Sequence, residues 1–118
     1  MTLLVLLVAC APEPELSFAD DVEPLIRGEC SLCHRGDTAD AELDLRDDPY
    51  GALVGVTATQ SDLALVEPGD HLYSYLWHKL NGTQGIAGGS GTAMPLDGLL
   101  PPDDVALVAA WIDAGAAP

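Results

Sequence analysis

Basic side chains are almost missing. Four lysines and arginines face nineteen aspartates and glutamates over 118 residues, a formal net charge of −15 at pH 7. Phosphate contacts need Lys and Arg, so this balance excludes a nucleic-acid binder. It also argues against adhesion to anionic lipid through a basic patch. Three readings of the acidity remain: solubility through self-repulsion, steering toward a basic partner surface, and a salty habitat. Aromatics are scarce too, at 5% of the chain, and much of the 48% hydrophobic fraction is alanine, which buries little area. A single domain of this size and composition is expected to need a staple or a bound group to complete its core. Cysteine numbers three, and no second cysteine pair exists from which to build a four-cysteine zinc site. No alternation of strands and helices suggests a parallel sheet.

The opening run MTLLVLLVA, residues 1–9, is apolar and uncharged. It falls short of the ~20 residues that cross a bilayer as a helix. It reads as the apolar region of a signal peptide ending in a small residue. The stretch LVAC, Leu7 to Cys10, resembles a bacterial lipobox. That resemblance implies a lipoprotein-type signal over 1–9, with Cys10 diacylated on its sulfur as the mature N-terminus. The alternative is an ordinary secretory signal with an incidental cysteine. Residues 10–16, with two prolines and two glutamates, then form a short extended tether. One domain follows, over 17–118.

Within that domain the patterning predicts helices and no clear sheet. A first helical segment runs from about Ser17, a good N-cap, to about Cys33. Phe18, Val22, Leu25 and Ile26 share one face. Pro24 either kinks this helix or sits in its first turn. Asp48 and Pro49 read as N-cap and first residue of a short helix ending near Val54. The segment after it is loop, with at most a short extended piece near 63–66. Asp70 opens a helix to about Leu80, with Leu72, Leu76 and Leu80 along one face and Asn81-Gly82 as the stop. Residues 82–95 form a glycine-rich, flexible loop. A last helix spans about Asp103 to Ala114, burying Val105, Val108, Trp111 and Ile112 before Gly115.

The most informative stretch is ECSLCHRG, Glu29 to Gly36. At the chain's own frequencies a C-x-x-C-H pattern arises by chance about two times in a thousand. Three chemistries use it: a redox dithiol, part of a zinc site, or covalent haem attachment. A redox dithiol belongs at a helix start after a strand, whereas these cysteines close a helix. Zinc needs four ligands, and beyond Cys30 and Cys33 only His71 and His78 remain, seven apart. Haem attachment fits best. Thiols at i and i+3 project on one side and can add across two vinyl groups of one haem. His34 then follows as the proximal iron ligand. A second axial ligand must come from far along the chain. Met94 is the one methionine after residue 9, in a loop whose Gly88, Gly89 and Gly91 permit close approach. Pro95 biases its backbone to an extended form. His71 and His78 are the rival ligands, on a helix where each also suits the wet face.

These residues carry a resemblance. FADDVEPLIRGECSLCH (18–34), LVEPGDHLYSYLWHKL (65–80), AMP (93–95) and DDVALVAAWIDAGA (103–116) together resemble a small class I-type cytochrome c. They are most similar to the exported cytochrome-c-like domain family of planctomycetes and myxobacteria. The resemblance covers most of residues 17–118. It implies an all-α, cytochrome c-like fold in which the N- and C-terminal helices pack around one covalently bound haem c, with long loops. It implies that Cys30 and Cys33 bear the haem and that His34 and Met94 ligate the iron. The lysine-rich docking face of the mitochondrial protein has no counterpart here.

The expected function is therefore electron transfer by Fe(III)/Fe(II) cycling, not enzymatic turnover. Its partners would be redox proteins, with the membrane reached through Cys10. The expected location is the periplasmic side of a bacterial membrane or the cell surface. Met/His ligation raises the potential and fills the coordination sphere. Trp77 and Trp111 are candidates to pack on the porphyrin or simply to fill the core. Arg35 and Arg46 are candidates to pair with a propionate. Two alternatives stay open. One is a haem enzyme of peroxidase-like or gas-sensing type, with a displaceable Met94. The other is a haem-bearing docking module of a larger complex.

Overall fold

The computed structural model describes residues 15–37 and 39–118; Cys10 and the proposed signal peptide lie outside them. The first helical segment starts at Ser17, whose Oγ accepts from the Asp20 N–H at 3.2 Å. Asp21 reciprocates, its Oδ2 accepting from the Ser17 N–H at 2.8 Å, so the first turn is capped from both sides. Phe18–Val22 form one wide π-helical turn, closed by the Glu23 N–H donating to Phe18 O. Helix α1, Glu23–Glu29, continues from it. Pro24 lies in the first turn of α1, where its missing N–H leaves no gap. The wide turn thus resolves the conflict that Pro24 posed.

Helix α1 ends at Glu29, four residues short of the expected Cys33. Cys30 still donates to Ile26 O at 2.9 Å, but the Cys33 and His34 amides both turn back to Cys30 O, at 3.3 and 3.1 Å. A single 3₁₀ turn, Asp40–Glu42, follows. Helix α2, Pro49–Leu53, is capped by Asp48, whose side chain accepts from the Gly51 N–H at 2.9 Å.

No strand forms among the described residues, yet the expected extended piece exists and has a task. Leu65 donates to Val56 O at 2.6 Å, and Ala58 to Leu63 O at 2.9 Å. The free carbonyls of Ala64 and Leu65 then accept from Tyr75 and Leu76, each at 2.9 Å. They satisfy the first amides of helix α3, Tyr75–Asn81, which has no side-chain cap.

The helix expected over 70–80 is in fact two pieces. Asp70 caps only a 3₁₀ turn, His71–Tyr73. Ser74 then adopts extended dihedrals, with its Oγ donating to Asp70 O and accepting from the Glu67 N–H, both at 2.9 Å. This fully buried hydroxyl breaks the helix. Leu72 consequently lies outside the core, 57% exposed, while Leu76 and Leu80 are buried.

Helix α4, Pro102–Asp113, ends in a Schellman turn: Ala116 donates to Trp111 O and Gly115 to Ile112 O, with Gly115 at φ +111°. The two ends of the domain pack together. Phe18 lies 5.5 Å from both the Trp111 and the Tyr50 ring. The Ala117 carbonyl accepts from the Phe18 amide and from Trp111 Nε1, each at 2.9 Å. Around this contact one apolar cluster gathers Val22 and Ile26 of the first segment, Leu53 of α2, Leu80 of α3, and Val108 and Ile112 of α4. The apolar cluster thus draws on every one of the four helices and on the first helical turn. The architecture is all-helical among the described residues, with long connections.

Candidate functional site

Cys30, Cys33 and His34 come together because the chain turns immediately after α1. Both cysteines are free thiols, Cys30 half-buried and Cys33 exposed. Burial, with a smaller contribution from the Glu29 charge, pushes the Cys30 thiol from its ordinary 9.0 up to about 11. The pair closes a helix and does not open one.

The segment after the turn holds it in place. His34 O accepts from the Leu45 amide at 2.8 Å, and Cys33 O from the Asp40 amide at 3.4 Å. The His34 ring places Nδ1 2.9 Å from the Asp40 carbonyl. Farther along, the backbone amides of Arg46 and Gly36, and then the Arg46 guanidinium, hold the Asp44 carboxyl below its usual value. Arg46 meets Asp44 at 3.5 Å and Asp47 at 3.4 Å.

Met94 lies at the end of a loop bound to α3. Its amide donates to Lys79 O at 2.9 Å, and its side chain is half-buried. The loop before it is tied down at successive points. Lys79 Nζ donates to Ser90 O at 3.2 Å and to Thr92 O at 2.9 Å. Gln84 Nε2 donates to Gly91 O at 3.2 Å, and Ser61 Oγ to Ala87 O at 2.9 Å. Burial lowers the Lys79 ammonium below its ordinary value. A Cβ at Gly89 would overlap the Tyr75 ring, at 2.6 Å from Cζ. These contacts tie the glycine-rich loop to α3 and to Ser61. They attach Met94 to α3, and none of them runs to the 30–34 turn.

Of the two rival histidines, His78 is engaged through both ring nitrogens and His71 through Nδ1 alone. His78, buried on α3, has Nδ1 2.7 Å from Thr83 Oγ1 and Nε2 2.7 Å from Leu72 O. The carbonyl can only accept, so Nε2–H donates and Thr83 donates to Nδ1. His71 places Nδ1 2.8 Å from Asp113 Oδ2, fastening the 3₁₀ turn to the end of α4. Of the two tryptophans, Trp111 is core, fully buried. Trp77 is half-buried, its ring edge-on to His71 at 4.7 Å and to His78 at 5.0 Å.

Sequence reasoning missed Lys79, Tyr75 and Asp44 as builders of the site. The signal for Lys79 was its being the sole lysine, placed beside a loop that offers many carbonyls. Asp44 stood in an irregular stretch with nothing to single it out. Among the described residues, no three of His, Cys, Asp and Glu gather as a metal cluster. One surface depression, about 510 Å³, is lined by Asp62, Glu67, Asp70 and Tyr73 among others, and by none of the candidate residues.

No family model, curated protein or solved structure matches the chain. The functional reading therefore rests on the residues themselves.

Proposed function

We propose that this protein is a one-electron carrier with one covalent haem c on a cytochrome c-like fold. Cys30 and Cys33 would form the thioethers, and His34 and Met94 would be the axial ligands. Cys10 would carry a lipid anchor that holds the domain on the periplasmic side of a bacterial membrane or at the cell surface.

The observation that carries this reading is the His34 ring. Its Nδ1 faces a backbone carbonyl, which only accepts, so Nδ1 bears the proton. The Nε2 lone pair is then left for a metal. Metal-bound histidines are characteristically held in this way through their other nitrogen. His78 is the contrast, with both ring nitrogens engaged. Two free thiols on the same turn complete a donor set suited to covalent attachment.

The haem, when bound, supplies the Fe(III)/Fe(II) couple. The chain's part is to bind, orient and exclude water. Asp40 O fixes the His34 ring. The Met94 thioether is a soft ligand that favours the reduced metal and so raises the potential. Leu32 and Ile86, 74% and 84% exposed, and Leu96 and Leu99 flank the ligand candidates in sequence. They are apolar side chains with which a large flat group could be covered. The net charge of −15 favours redox partners with a basic docking surface.

The test is expression of the exported chain with the haem-attachment machinery. Intact mass should rise by one haem, and Cys30→Ala with Cys33→Ala should abolish the gain. The reduced-minus-oxidised visible spectrum should be low-spin. Absence of covalent haem would refute the proposal. A high-spin resting state that binds carbon monoxide when reduced would replace the carrier with a haem enzyme or sensor.

A further inference from the structure

We propose that Lys79 is the positioning residue for Met94: it grips the ligand loop with its main chain and its side chain at once and so sets where the thioether stands. The inference rests on the assignment of Met94 as an iron ligand.

Three successive carbonyls of the loop are caught. Lys79 Nζ takes Ser90 O and Thr92 O, and Gln84 Nε2 takes Gly91 O between them. Two residues later the Met94 amide returns to Lys79 O. Main chain and side chain of one residue therefore close a ring through residues 92–94. That ring fixes the register of Met94 against α3, because sliding the loop by one residue would break both grips together. The two tethers differ in kind. The lysine contacts are charge-assisted, hence stronger than amide ones. Gln84 is a neutral donor that holds one of the three carbonyls, where the ammonium holds two. The loop backbone is shaped to admit the cation. Gly91 has φ +75°, and a Cβ there would stand 3.3 Å from Lys79 Nζ. The Tyr75 ring lies 5.8 Å from the same nitrogen and adds its π face. Lys79 itself need not touch a cofactor.

A purely structural lysine and a positioning one make different predictions. The test compares wild type, Lys79→Met, which keeps the stem and loses the donors, and Lys79→Arg, which keeps a cation. In the haem-loaded protein, Lys79→Met should weaken the ferric sulfur-to-iron charge-transfer band, lower the potential and raise imidazole affinity at least tenfold. Helical content should be unchanged, and Lys79→Arg should restore most of the band. Amide hydrogen exchange supplies an independent readout, with Met94 exchanging at least tenfold faster in Lys79→Met. A Lys79→Met protein with wild-type band, potential, imidazole affinity and Met94 exchange would overturn the proposal. So would a band lost only in proportion to a general loss of helical content. A wild type with no sulfur band would overturn the ligand assignment instead, and the exchange comparison would still decide whether Lys79 holds the loop.

Discussion

The Tyr75 ring occupies the space in which a side chain at Gly89 would begin: a Cβ built there stands 2.6 Å from Tyr75 Cζ. Helix α3 and the glycine-rich loop are thus in contact with no room for a methyl group between them. Tyr75 is 3% exposed, so the ring has nowhere to retreat. Gly89→Ala should destabilise the protein by about 1–3 kcal/mol, as overpacking does. Thermal or urea unfolding measures the loss. Tyr75→Leu in the same chain should recover part of it, and strict additivity of the two changes would show that the contact is not the cause.

The proposed axial ligands separate by substitution. Met94→Ala should remove the sulfur charge-transfer band, lower the potential and open a position to small ligands. His78→Ala should leave that band in place while costing about 1–3 kcal/mol, because Leu72 O and Thr83 lose a buried partner. Loss of a low-spin spectrum in His71→Ala or His78→Ala, with Met94→Ala silent, would make the ligation bis-histidine.

The two thiols should differ in reactivity in the chain made without haem. With Cys30 shifted from 9.0 to about 11, its thiolate fraction near neutrality falls roughly a hundredfold. Iodoacetamide should label Cys33 first and reach Cys30 at a comparable rate only after unfolding. Equal rates in the native chain, read by peptide mass, would contradict the burial of Cys30.

Asp44 gives a pH dependence of definite sign. Its carboxyl is held below the usual 3.8 by the amides of Arg46 and Gly36. A depressed folded-state pKa adds stability above the unfolded value and forfeits it as pH falls through the folded one. Asp44→Asn should therefore melt lower than wild type at neutral pH, with the two curves converging on the acid side of 3.8. A gap constant down to strong acid would remove the charge from the explanation.

Helix ends written in side chains were legible in the sequence. Asp48 before Pro49 and Gly115 as a stop act locally and where expected, while Asp70 caps a 3₁₀ turn and not the expected helix. The C-x-x-C-H turn was equally plain as a motif. Illegible were features that depend on partners distant in sequence. Ser74 looked like an ordinary helix residue, yet Glu67 and Asp70 draw it into a break. The start of α3 borrows carbonyls from 64–65, which no local pattern announces. Lys79 and Tyr75 gain their roles only from the loop from 84 to 94 that folds back onto them.

The anchor assignment has its own test. Cys10→Ser should release the exported protein from detergent extracts or block its processing, and intact mass of the wild type should show a diacylglycerol on an N-terminal residue 10. A soluble protein processed elsewhere would remove the anchor and leave the haem reading untouched.

The shared carbonyl of Ala117 has a topological consequence. Because it binds the Phe18 amide and the Trp111 indole together, the chain enters and leaves this domain at one corner. Such a body can be spliced into a surface loop of a host protein by two short joints, since the host need bridge only a narrow gap. Equally, joining 117 to 17 and cutting the chain at an exposed turn should yield a circular permutant that keeps the same core. The order of the elements along the chain would then change while their packing stays as it is.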